Sequence, residues 1–383
     1  MTTPAPAPDV RLRVRADAHG VVVEEASDGA YLRCDAEGHW TAWHRAGGML
    51  RRALDGRVHA LGAAVARPLA DAEAGAVHDA AARSAATFAA ALDAPVARDV
   101  DVVGDLDLAR ALLRRAATHD AAWGREAEAR ARAVYPEGIP ILPPHRYRDL
   151  VVTPARGCPN AQCTFCAFYR DRPFEVLPPE AFDAHLAALA ALLGRAVDAY
   201  DGVFFGSASA ASIPDAVLLD RLARTRAAFG PRRRGVATFL DADHAPRRTP
   251  ARWARLVEAG LGDVTVGLET GLASLRASVR KSADVARFVA AVAAAKGAGV
   301  RIAVCVLVGL GGAAVADAHR AATVAAVASM PLDARDLVYL SPLEGALSDD
   351  AVAAETAAWR AALAPATPAR ASHYPAEGFV ART

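Results

Sequence analysis

The stretch VVTPARGCPNAQCTFCAFYR, residues 151–170, gathers Cys158, Cys163 and Cys166, three of the chain's five cysteines, directly behind an apolar run, Leu150-Val151-Val152, that reads as a β-strand. Thiolate sulfur is the preferred ligand of soft metals and iron–sulfur clusters. A loop at the carboxyl end of a strand is where α/β barrels place their chemistry. Three protein ligands leave one metal position for something other than protein, which points to catalysis. A structural zinc site needs a fourth ligand, and the nearest histidines, His145 and His185, lie outside zinc spacing. An odd cysteine count and no secretory signal argue against disulfides. A plant-type [2Fe–2S] centre also uses C-x4-C-x2-C, with a remote fourth cysteine. Here that would be Cys34 or Cys305, and Cys305 lies inside IAVCVLVGL, an expected buried strand. Spacing therefore leaves a three-thiolate catalytic site and a non-catalytic electron carrier or redox sensor both open.

At 383 residues the chain is long enough for a barrel-type domain plus a smaller one. Its hydrophobic content of 53% supports a well-buried core. No apolar run approaches the roughly 20 residues that a membrane helix requires, so no membrane association is expected. A net charge of +1 offers no electrostatic case for nucleic acid as a partner. The short basic runs Arg232–Arg234 and Arg247-Arg248 read as solvated loop faces. With no signal or transit peptide, the cytoplasm is the expected compartment.

Residues 1–9 form a Pro/Ala tail, expected to be disordered. From Val10 to Trp43 short alternating segments are separated by His19-Gly20, Asp28-Gly29 and Glu37-Gly38, the turn chemistry of a small antiparallel meander. Alanine-rich helical segments follow at 70–94 and 105–135. The proline-rich stretch 136–144 reads as a linker closing an N-terminal α+β domain, residues 10–144. Strand–helix alternation then predicts a parallel sheet over 145–345. Strands are expected near 149–153, 202–206, 235–240, 263–268, 301–308 and 335–340. Helices are expected near 179–194, 214–229, 249–259, 283–298, 315–329 and 349–364. The fold class is α/β: a partial (β/α)6 TIM-type barrel, with residues 346–383 as a helix and tail covering it.

The cysteine phrase, with Phe165 just before the last thiol, resembles the cluster loop of radical S-adenosylmethionine (radical SAM) enzymes. Their commonest spacing is C-x3-C-x2-C, so this chain carries one extra residue. A subgroup with GC-x4-CTFC-x-x-YR, whose reactions are mostly unassigned, is the better likeness, matched from Gly157 to Arg170. The resemblance runs through most of 145–345. It implies a [4Fe–4S] cluster on Cys158, Cys163 and Cys166, with the fourth iron binding S-adenosylmethionine through its amino and carboxylate groups. It also implies a small-molecule substrate and an electron donor such as flavodoxin or ferredoxin.

Other strand ends carry further candidates. Strand 2 ends in Gly206-Ser207-Ala208-Ser209-Ala210, a small-residue loop that permits close backbone approach. The resemblance puts the cofactor's amino group near Gly206, Ser207 and Ser209. Strand 4 ends in Glu269-Thr270. A carboxylate there can accept bonds from both ribose hydroxyls, and the resemblance assigns the pair to that ribose. Downstream, Arg280-Lys281 offers a cation for the cofactor carboxylate, with Arg280 the expected partner. Gly309, opening the turn Gly309-Leu310-Gly311-Gly312, resembles the segment flanking the adenine. Phe165, Phe168 and Tyr169 are expected to shield the cluster, and Tyr169, Tyr339 and Tyr374 are candidate hydrogen-atom relays. No further C-x2-C unit and no cobalamin-type D-x-H-x-x-G is present. In the N-terminal segment, His39, Trp40, Trp43 and His44 either line a pocket or build a small core. At the other end Tyr374, Glu377 and Phe379 are expected to return over the barrel's open edge.

Overall fold

A computed structural model describes residues 12–26, 29–45, 48–62, 66–94, 100–166, 168–170, 172–343 and 345–374. The tail at 1–9, together with Glu377 and Phe379, lies outside them. By internal packing the chain falls into two units: the described residues of 1–139 with 188–200, and those of 140–187 with 201–377.

The first unit is built on one sheet. Strands β1 (Leu12–Asp17), β2 (Gly20–Glu25), β3 (Tyr31–Asp35), β4 (Trp40–Arg45), β5 (Gly48–Arg52), β6 (Val58–Leu61) and β7 (Ala66–Pro68) follow one another as an antiparallel meander. β8 (Val100–Gly104) joins the far edge parallel to β1. In β1, buried Leu12, Val14 and Ala16 alternate with exposed Arg13, Arg15 and Asp17, the period-2 pattern of a half-covered sheet. Helices α1 (Asp71–Asp93) and α2 (Leu106–Ala116) pack on that apolar face through Ala85, Phe88, Leu92, Leu112 and Leu113. The meander therefore runs well past Trp43. β5 to β7 are short, three to five residues each, and show no clean alternation of buried and exposed positions, so the pattern does not mark them. The segment expected as one helix over 105–135 is two, α2 and α3 (Ala121–Val134). Asp120 restarts it by accepting the backbone N–H groups of Ala122 and Trp123. Trp40 is fully buried, its indole N–H donating to His78 Nδ1 (3.0 Å). Trp43 donates to Ser84 Oγ (3.3 Å).

The second unit holds a seven-stranded, all-parallel sheet. In spatial order it runs β9 (Leu150–Val152), β12 (Val203–Phe205), β13 (Val236–Leu240), β14 (Leu261–Glu269), β15 (Arg301–Val308), β16 (Leu337–Pro342) and β17 (Arg370–His373). A small antiparallel pair, β10 (Ala155–Arg156) with β11 (Glu175–Val176), flanks the cysteine loop. Helices α4 (Pro179–Leu193), α5 (Asp215–Phe229), α6 (Pro250–Glu258), α7 (Ala273–Ser278), α8 (Val285–Lys296), α9 (Ala316–Ala328) and α10 (Asp349–Leu363) lie between the strands along the chain. Sequential parallel order with two open edges is a partial barrel. Val151, Val152, Phe204, Phe205, Val264, Val266, Ile302, Val304 and Val306 are fully buried, as in parallel strands covered on both faces. The six expected strands and their helices all form. The seventh, Arg370–His373, is too short and polar to announce itself.

Opposite ends of the sheet do different things. At the amino end, Asp263 gathers His145 Nε2 (3.0 Å), Arg146 (3.2 Å) and Arg301 (3.7 Å). That knot ties the entering segment, with buried Leu142, to the start of β14. The carboxyl ends carry the cysteines, Ser207, Ser209, Glu269 and Gly309, whereas the relay candidates Tyr339 and Tyr374 bond His145 and Leu142 of the entering segment, at the other end.

Candidate functional site

The cysteine loop leaves β9 and is closed at its base by Cys158 N–H donating to Arg172 O (3.1 Å). All three thiols are partly buried and unbridged. Cys166 N–H donates to Cys163 O (3.2 Å), and Thr164 N–H reaches Val279 O (3.4 Å). Asn160 Nδ2 donates to Cys163 Sγ and to Arg280 O, both at 3.0 Å. The loop is thus docked on the turn between α7 and α8. Burial pushes the Cys163 thiol up to about 11, against the pull of the Lys281 ammonium, and also raises Cys158. Such thiols hold their protons until a metal displaces them. Among the described residues no three His, Cys, Asp or Glu side chains converge to hold a single metal ion. Three sulfurs that each take a different iron need no such convergence. Three thiols on one docked loop are a donor set that an iron–sulfur cluster can take.

The end of β14 supplies the opposite wall. Its register against β15 slips between Gly267 and Glu269, a bulge that re-aims the side chain at a strand terminus. Glu269 has φ +61, a left-handed conformation that a non-glycine residue adopts at a cost of about 1–2 kcal/mol. A Cβ on Gly267 would stand 2.2 Å from Glu269 Oε1, so a larger residue there would have to displace the carboxylate. Lys281 Nζ donates to Glu269 Oε1 and to Gly267 O, each at 3.1 Å. Burial works against the Lys281 charge, but Glu269, Asp241 and Cys163 outweigh it and hold the ammonium above the usual lysine range.

What holds this strained end is Arg276, whose side chain is fully buried. Its guanidinium donates to Leu268 O (2.5 Å), Ser282 O (2.6 Å) and both Asp243 oxygens (3.1 and 2.9 Å). Asp243 also accepts Ser282 N–H (3.1 Å). One cation therefore ties the end of β14, the loop after β13 and the residue following Lys281. Neither Arg276 nor Asp243 stands out in sequence, although FLDADH, residues 239–244, does place two carboxylates at a strand's carboxyl end.

At the ends of β12 and β13, Ser207 and Ser209 are buried. Ser209 N–H donates to Ser207 Oγ (3.2 Å), and Ser209 Oγ accepts Asp241 N–H (2.8 Å). Gly206 is buried, and a Cβ there would stand 2.6 Å from Pro140 Cγ, so packing alone demands glycine. Asp241 bonds His244 Nδ1 (3.0 Å). Burial opposes its ionisation, yet His244 and Lys281 take its carboxyl down to about 2.

The remaining candidates separate. Arg280 is exposed with φ +60 and offers the loop its carbonyl, while its neighbour Lys281 points inward. Thr270 Oγ1 is bonded to His319 Nδ1 (2.7 Å) and accepts Leu272 N–H (3.0 Å). Gly309, with φ +85, lines a cleft of about 370 Å³ with Leu310, His319 and Leu347. Phe165 and Tyr169 are partly buried, whereas Phe168, expected as a shield, is 53% exposed. Tyr339 and Tyr374 are buried with rings 5.2 Å apart. The Tyr339 hydroxyl accepts His145 N–H (3.1 Å) and meets His145 Nδ1 (2.8 Å), and Tyr374 donates to Leu142 O (2.9 Å). Cys34 is buried in β3 of the first unit and Cys305 lies within β15.

Residues 152–324 match the Radical SAM superfamily. No curated protein matches the chain. Among solved structures it is similar to the cobalamin-dependent S-adenosylmethionine radical enzyme OxsB, at 14% identity and a TM-score of 0.36, over 48% of this chain and 28% of that one. It is similar to coproporphyrinogen III oxidase (HemN) from Escherichia coli, a radical SAM enzyme, at 15% identity and a TM-score of 0.40, over 60% and 49%. HydG, a maturase of the [FeFe]-hydrogenase, shows 14% identity and a TM-score of 0.41, over 78% and 63%. In each case the likeness covers less than two thirds of the solved chain.

Proposed function

We propose that this chain, whose residues 152–324 match the Radical SAM superfamily, a family that uses a [4Fe–4S] cluster and S-adenosylmethionine, is an enzyme that cleaves S-adenosylmethionine reductively to act on a small or medium organic substrate. Bound here, a [4Fe–4S] cluster would supply the electron for cleaving the sulfonium, and S-adenosylmethionine the 5′-deoxyadenosyl group for hydrogen abstraction. In this reading Cys158, Cys163 and Cys166 hold the cluster. Glu269 accepts the ribose hydroxyls, and Lys281 faces the cofactor carboxylate. Ser207 and Ser209 shape the wall beside the amino group, and the backbone after Gly309 flanks the adenine. Arg276 fixes Glu269 and Lys281 in place.

The observation that carries the reading is the convergence of one buried cation on two walls. Lys281 is bonded to Glu269 and lies in the field of Cys163 and Asp241, so thiols, carboxylate and ammonium share one end of the parallel sheet. A carrier needs the thiols alone. Anaerobic reconstitution tests this. The enzyme should take four irons per chain, show a reduced-cluster EPR signal that shifts on adding S-adenosylmethionine, and release 5′-deoxyadenosine under reduction. Two irons and indifference to the cofactor would leave the electron carrier or redox sensor in its place.

A further inference from the structure

The spacer between the first two cysteines, Pro159-Asn160-Ala161-Gln162, carries the extra residue noted in the sequence, and its conformation is specific. Ala161 has φ +51, a left-handed turn in a residue with no side-chain bond to favour it. That turn folds Asn160 back over the loop. Its amide has two hydrogens, and each has an acceptor at 3.0 Å: Cys163 Sγ and Arg280 O. The orientation follows from the partners, since a flipped amide would aim its oxygen at a carbonyl oxygen and an electron-rich sulfur. Arg280, at φ +60, turns its carbonyl toward Asn160. The donor on Cys163 is therefore locked from a second element, the turn that also delivers Lys281.

A hydrogen bond to a metal-bound sulfur, like a nearby positive charge, stabilises the form in which the sulfur carries more electron density, and reduction of a cluster adds that density. We infer that Asn160 sets the reduction potential of the iron–sulfur cluster through its bond to Cys163, as a positioning residue that touches neither cofactor nor substrate. The inference rests on the radical SAM reading and deepens it. The longer spacer is then functional. It supplies a sulfur-directed donor, anchored on Arg280 O, which raises the potential and eases electron entry.

The experiment is an EPR-monitored redox titration of reconstituted full-length wild type, Asn160→Ala and Asn160→Asp. Removing the donor should lower the reduced-to-oxidised ratio at a fixed potential about tenfold, equivalent to a 59 mV fall for one electron. Asn160→Asp, close in shape but lacking N–H donors and adding negative charge, should fall further. Electron–nuclear double resonance of the reduced wild type should show an exchangeable proton coupling that both variants lose. Iron content should stay at the wild-type level. Clusters that assemble in all three proteins and titrate together overturn this inference alone. A wild type that assembles no [4Fe–4S] cluster removes the radical SAM reading and this one with it. If the alanine variant fails to load iron, the aspartate variant carries the test. If neither loads while circular dichroism stays native, Asn160 is a scaffold residue and the inference fails.

Discussion

In the first unit every described residue with a positive φ is a glycine: Gly20, Gly29, Gly38, Gly48, Gly56, Gly104, Gly138 and Gly194. The second unit also uses glycines there, but adds three non-glycine residues, Ala161, Glu269 and Arg280. One lies between two cysteines, one carries the strand-4 carboxylate, and one anchors the cysteine loop. Both units bury charge. In the first, Asp35 accepts the backbone N–H groups of Glu37 and His39 (2.9 Å each), and Arg52 donates to Trp40 O (2.9 Å) and lies 5.4 Å from the Trp123 ring. None of these residues has a left-handed backbone. In the second, a buried guanidinium and a buried ammonium pin backbone in conformations it would otherwise leave. Strain of this kind persists only where surrounding structure over-determines it, and it gathers at ligand sites. The contrast points to the same end of the sheet as the cysteines.

The comparison breaks most visibly at the thiols. Replacing Cys158, Cys163 or Cys166 with alanine should abolish bound iron or reduce it sharply, while Cys34→Ala in the first unit and Cys305→Ala in β15 should retain it. Iron assay and the visible chromophore decide this. Equal loss in Cys305→Ala would indicate a four-cysteine centre.

Arg276→Met tests whether the strained wall needs its clamp. It leaves Asp243 buried without its cation, and breaking a buried pair costs roughly 3–5 kcal/mol. Urea denaturation should show that loss, and calorimetric titration should show S-adenosylmethionine binding lost with it. Binding preserved despite the destabilisation would make Arg276 a support of the fold only. Glu269→Gln, which keeps shape and loses charge-assisted bonds, should weaken cofactor binding at least about tenfold with iron content unchanged. Unchanged affinity would remove Glu269 from the site.

Smaller effects sharpen the strain argument. Arg280→Gly should raise stability by roughly 1 kcal/mol, because glycine takes φ +60 freely, and Gly29→Ala, at φ +68, should lower it by a similar amount. Opposite shifts in melting temperature check the pair. The smallest effect is a pH dependence at Asp241–His244. The bond to Asp241 raises His244 above 6.5, so its contribution is complete below about 6.5 and fades as pH rises through the raised value. Asp241, held near 2, contributes above about 3.8 and loses its effect as pH falls toward 2. Asp241→Asn should flatten both limbs of the stability profile. A profile unchanged by the substitution would show the pair to be inert.

Much of this was legible in the chain because it is local. Apolar strands alternating with alanine-rich helices dictate a parallel sheet with covered faces, and a strand leading into three closely spaced thiols places soft-metal chemistry at its carboxyl end. The N-terminal meander was legible only through β4, since β5 to β7 lack the alternation that marks a half-buried strand. Tertiary structure alone decided which of two adjacent cations faces the thiols. Arg280 adopts φ +60, which turns its side chain to solvent and its carbonyl to Asn160, and the next residue, Lys281, is carried inward. It also decided that Arg276 and Asp243, 33 positions apart, form one clamp. Periodicity and spacing report neighbours along the chain. A buried guanidinium finds its partners across loops that only the closed sheet brings together.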